Sequence, residues 1–60
     1  MNFDIGELVK CGDETAIILR FWVDEGEEEG VCEVWAECLW SNGEIEDIDT
    51  FSLEKIDVAA

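Results

Sequence analysis

The stretch VCEVWAECLW, residues 31–40, holds two of the three tryptophans and two of the three cysteines, with two glutamates between them. These are the residue types that could do chemistry in this chain. A thiol beside a base makes a nucleophile, paired carboxylates do acid–base work, and clusters of either hold metals. The chain has no histidine and no tyrosine, so no Ser–His or Cys–His arrangement can form. Carboxylate pairs need a cleft roughly 5 to 10 Å across, and a barrel small enough for this chain fills its interior with side chains. The expectation is a protein that is not an enzyme.

Metals and disulfides fare no better. Cys32 and Cys38 lie six positions apart on one strand face, roughly 20 Å along an extended chain, too far to bridge. With Cys11 the thiols number three, show no CxxC spacing and have no histidine to help them, so zinc is not expected. Buried free thiols in a reducing cytoplasm fit this usage. The run DEGEEEG, Asp24 to Gly30, offers hard ligands for calcium but lacks the spacing of an EF-hand loop. Weak, nonspecific cation binding is the expectation there, and no cofactor is implied.

Binding is better supported. Seventeen Asp and Glu oppose Lys10, Arg20 and Lys55, a net charge of −14. Such a surface repels nucleic acid and anionic membrane and attracts basic protein surfaces. Solubility, or a salty habitat, accounts for acidity equally well. The start, MNFDIGELVK, lacks the basic and apolar regions of a secretory signal. No stretch approaches the roughly 20 apolar residues of a membrane span. A cytoplasmic protein is expected.

The elements that position these groups are read from hydrophobic alternation. Sixty residues allow one small domain with a marginal core. A short first strand, Glu7 to Lys10, is entered through Gly6 and leaves through a turn at Gly12. TAIILRFWVD, residues 15–24, is a second strand with Ile17, Leu19, Phe21 and Val23 as the buried face. That parity sends Ile18, Arg20 and Trp22 outward. The acidic run 24–30 then reads as a long hairpin loop. In the third strand the even positions, Cys32, Val34, Ala36, Cys38 and Trp40, are all apolar and form the buried face, which turns Val31, Trp35 and Leu39 outward. Asn42-Gly43 predicts a two-residue type I′ turn, with Trp40 opposite Ile45. Ile45 and Ile48 both read as core, which requires a β-bulge near Glu46 and Asp47. Phe51, Leu53 and Ile56 are expected to cap a barrel end through a 3₁₀ turn and a last short strand.

The segments FDIGELVK, TAIIL, LWSNGEIEDI and LEKI together resemble short phage and bacterial proteins with SH3-like (KOW-like, YodC-like) barrels. The resemblance spans nearly the whole chain and implies an all-β fold, a small five-stranded SH3-like barrel with an Asn-Gly hairpin. It also implies a non-enzymatic accessory protein, often phage-encoded. Many KOW-like domains bind nucleic acid through basic loops, which this chain lacks, so direct nucleic-acid binding is not expected.

Two functional expectations remain. In one, the chain is an acidic module that engages a basic protein through carboxylates that include Glu44, Glu46 and Asp47, the alternate residues Glu44 and Glu46 being spaced roughly like phosphates, as in a nucleic-acid mimic. In the other, it is a structural or assembly protein that uses an apolar tryptophan patch for self-association or for docking on a virion. The patch of this second expectation is Trp22, Trp35 and Leu39, rimmed by Glu33 and Glu37, because aromatic centres with charged rims make interfaces. The competing expectation is that strongly curved strands wrap Trp35 into a second core.

Overall fold

The computed structural model describes residues 2–26, 30 and 32–56. The chain is all-β. Strands β1 (Leu8–Cys11), β2 (Glu14–Glu25), β3 (Cys32–Trp40), β4 (Ile45–Asp49) and β5 (Glu54–Lys55) form one antiparallel sheet ordered β4-β3-β2-β1-β5. A 3₁₀ turn at Thr50–Ser52 carries the chain from β4 to β5. It is capped by Asp49, whose Oδ1 accepts from the Phe51 N–H at 2.9 Å. Among the described residues β4 and β5 are the two edges of the hydrogen-bonded sheet.

The interior faces one side of this sheet. Val9, Ala16, Ile18, Ala36, Cys38, Trp40 and Leu53 form the core, and Phe3, Cys11, Phe21 and Ile48 pack around it. Cross-strand pairs explain the fit. Ala16 stands opposite Trp40, and its small side chain leaves room for the indole on the same face. Val9 continues that row on β1, opposite Ala16.

The third strand faces as expected: Ala36, Cys38 and Trp40 are buried, and Val34 is half-buried. Cys32, on the same face beyond the core, is exposed, so it is not a buried thiol.

The second strand departs from its expected face. Ile18 is fully buried, while Ile17, Leu19 and Val23 are exposed. The cause is a break in register: Ile18 pairs Cys38 but Arg20 pairs Glu37, leaving Leu19 as the extra residue of a β-bulge. Before the bulge the even residues face the core. After it the parity switches, so Phe21 turns inward and Arg20 and Trp22 outward.

Three expectations near the C-terminus also fail. The turn after β3 is not type I′, because Gly43 has φ +91° whereas no described non-glycine residue, Asn42 included, has positive φ. A type I′ turn needs positive φ at both central residues. The Gly43 N–H instead donates to the Trp40 carbonyl at 2.9 Å, and the Trp40 N–H to the Glu44 carbonyl at 2.8 Å. The connection is one residue longer, and Leu39 rather than Trp40 stands opposite Ile45. β4 then pairs without interruption from Ile45 to Asp49, so it contains no bulge. Ile45 is 58% exposed, and only Ile48 reaches the core. Among the capping residues, Leu53 is buried and Ile56 half-buried, but Phe51 is 90% exposed.

Candidate functional site

The face of the sheet opposite the core carries the candidate site. Register defines it row by row, since directly paired residues in an antiparallel sheet share a face. Leu8, Ile17, Leu39 and Ile45 form one row across four strands. The next row sets Arg20 beside Glu37 and Glu37 beside Asp47. In the third, Trp22 pairs Trp35, and Trp35 pairs Asp49. Asp24 opposite Glu33 completes the face toward the acidic run.

Trp22 and Trp35 are stacked, with ring centroids 5.7 Å apart and planes 11° from parallel. The β2 bulge makes this possible by turning Trp22 to the face that Trp35 occupies. Both indoles are half-buried, each covering the other. Their Nε1–H groups are shielded and have no acceptor among the described residues. Such stacked pairs are worth about 0.5–1.5 kcal/mol beyond area burial.

Carboxylates surround the stack. Asp24 and Glu33 lie on one side, Glu37 and Asp47 on the other, and Asp49 beside Trp35. Like charges directly opposite one another repel, and Arg20 relieves one such pair. Its Nε lies 2.6 Å from Glu37 Oε2. The chain's other two basic side chains are engaged elsewhere, Lys10 with Glu54 at 3.5 Å and Lys55 with Glu7 at 3.3 Å. The first ties β5 to β1 and the second ties β5 to the segment before β1, so neither cation sits among the carboxylates around the stack.

The apolar row is the second feature of this face. Leu8, Ile17 and Ile45 are all exposed, and a shallow groove of about 190 Å³ runs along Leu8, Ile17 and Leu39.

The expected site residues are therefore only partly gathered. Trp22, Trp35, Leu39, Glu33 and Glu37 share the outer face, as does Asp47. Glu46 is opposite Cys38 on β4, so it and Glu44 point to the other side of the strand. Glu44 and Glu46, the alternate pair with phosphate-like spacing, thus share a face with each other but not with Asp47 or the tryptophans. Sequence reasoning missed Asp24, Asp49, Leu8, Ile17 and Ile45, which only the register places here.

The titratable core group is Cys38. Burial pushes its thiol above its ordinary value, and Cys11 and Asp47 nearby add to the effect. A protonated, enclosed thiol is a poor nucleophile. Among the described residues no group of His, Cys, Asp and Glu is arranged to hold a metal. No helix among them is long and apolar enough to cross a membrane. Comparisons with protein-family models, with curated proteins and with solved structures return no match for this chain.

Proposed function

We propose that the chain is a non-catalytic acidic protein-binding module whose outer sheet face engages a basic protein surface, as an adaptor or a nucleic-acid-mimicking inhibitor. The observation that carries this reading is the Trp22–Trp35 stack inside its ring of carboxylates. Indole faces and carboxylates together favour Arg and Lys side chains, through cation–π attraction and charge-assisted hydrogen bonds. Every Lys and Arg of the chain is paired to one of its own acids, Arg20 on this face included, so the face keeps an excess of carboxylate for a partner's cations. Direct nucleic-acid and membrane binding are disfavoured by the net charge.

In this reading the sheet curls into the SH3-like barrel that the resemblance implies, and the strand order with β5 returning to β1 supports it. The protein is then an accessory protein of the cytoplasm, in the host cell if it is phage-encoded. The test is affinity capture from the source lysate, washed at low and at high salt. A basic partner lost in high salt supports the reading, because charge-driven contacts are screened.

A second reading has its own observation. The row of exposed Leu8, Ile17 and Ile45 with half-buried Leu39 is an apolar stripe across four strands, suited to self-association or to docking on a larger structure such as a virion. Association that persists in high salt and is lost in Ile17→Ser favours it.

A further inference from the structure

β4 is an edge of the sheet, and among the described residues no strand pairs with its outer side. The bond from Trp40 N–H to the Glu44 carbonyl makes these two a hydrogen-bonded pair. Alternation along an antiparallel ladder then turns the backbone groups of Glu46 and Ile48 toward β3, and those of Ile45, Asp47 and Asp49 away from it. The bond from Ser41 N–H to the Thr15 carbonyl fixes the same phase on the β2 side. The residues with outward N–H and C=O groups are thus those whose side chains stand on the outer face, opposite Leu39, Glu37 and Trp35.

We propose that the outer edge of β4 receives an extended segment of a basic partner by antiparallel strand addition, with an apolar side chain beside Ile45 and Lys or Arg beside Asp47 and Asp49. The inference rests on the reading of this chain as a binder of basic surfaces and names how the partner docks. The added strand extends three existing rows: the apolar row past Ile45, the Glu37–Asp47 row and the Trp35–Asp49 row. Main-chain bonds supply affinity in this mode, and alternate side chains supply specificity. Charge selects the occupant. An antiparallel pairing of two β4 strands about Asp47 would set Asp47 against Asp47, so the edge rejects a second copy of this acidic chain while it accepts a basic strand. Asp49 already accepts from the Phe51 N–H through one oxygen, which makes exposed Asp47 the freer anchor.

The experiment uses the whole chain, isotope-labelled, and three end-capped peptides at low salt. One is Arg-Thr-Lys-Thr-Val, in which the recognised side chains alternate. The second is its isomer Arg-Lys-Val-Thr-Thr, in which they do not. The third repeats the first with N-methyl groups on its Arg, Lys and Val amides. The expected result is that the alternating peptide binds more tightly than its isomer and slows hydrogen exchange at the amides of Ile45, Asp47 and Asp49. Methylation should weaken it by about tenfold or more, as the main-chain bonds are lost. Equal binding by the methylated peptide, or binding that leaves those amides unprotected, overturns strand addition and leaves the basic-surface reading standing. Failure of every peptide to bind overturns both. Protection of the same amides that grows with protein concentration alone assigns the edge to a second copy and overturns the proposal.

Discussion

Trp22 and Trp35 stack across the β2–β3 ladder at 5.7 Å and 11°, and they do so because Leu19, ahead of Trp22 on β2, is the extra residue of a bulge. Restoring an unbroken register would return Trp22 to the core side and separate the pair. Trp35→Ala should therefore cost the pair energy, about 0.5–1.5 kcal/mol, together with the area term for a half-buried ring. The Trp22/Trp35 double-mutant cycle, read by urea unfolding, checks it. A coupling of zero would show that the stack contributes nothing. Trp40→Ala, in the core, should cost more, about 3–5 kcal/mol.

The Arg20–Glu37 pair is 2.6 Å long but partly exposed. Exposed pairs are worth up to about 1 kcal/mol, and here the guanidinium, on the other side of Glu37 from Asp47, also offsets the repulsion between those two carboxylates. Arg20→Ala should destabilise the fold more at low than at high salt, since screening acts on both effects. The wild-type chain, at net charge −14, should itself gain stability as salt rises. Thermal unfolding over a salt series reads both, and a salt-independent midpoint would contradict the electrostatic account.

Gly43 takes φ +91°, and an L side chain there costs roughly 1–2 kcal/mol. Gly43→Ala should lose about that much. Asn42, with negative φ, should accept Ala with only the loss of its hydrogen bond from Glu44 N–H, 2.9 Å long. Chemical denaturation of both variants gives the comparison; equal losses would point back to a type I′ turn.

How much of this was legible follows from the alternation itself. In β3 every even position is apolar and glutamates break the odd ones, so the buried face could be read directly. In β2 both parities are apolar from Ala16 to Val23 except at Arg20. Alternation there carries almost no information, and the bulge makes either uniform choice wrong over half the strand. The adjacency of Trp22 and Trp35 was legible because the parity chosen holds beyond the bulge. The Asn42-Gly43 pair announces a turn, but two turn types accept it, and they differ by one residue in register. That one residue decided where Ile45, Glu46 and Asp47 point, and hence which carboxylates join the outer face.

Cys38 and Cys32 lie on one strand face with opposite fates, one buried and one exposed. Cys32 should react quickly with a thiol reagent at neutral pH, and Cys38 only on unfolding. The raised Cys38 thiol has a pH consequence. Below its ordinary value near 9.0 it is protonated in both folded and unfolded chains, and its contribution is complete. Above that value the unfolded chain ionises first, so stability falls as pH rises toward the raised folded value. Cys38→Ala should flatten this alkaline decline, and an unchanged slope would contradict the assignment.

The three tryptophans supply the most direct test of the central claim, because Trp22 and Trp35 lie on the outer face and Trp40 lies in the core. The measurement is the three indole N–H resonances, followed as the basic protein recovered in the low-salt capture is added. The account expects the Trp22 and Trp35 signals to shift together, with Trp40 unmoved, and expects the shifts to vanish in high salt. Binding that leaves Trp22 and Trp35 unchanged would contradict it.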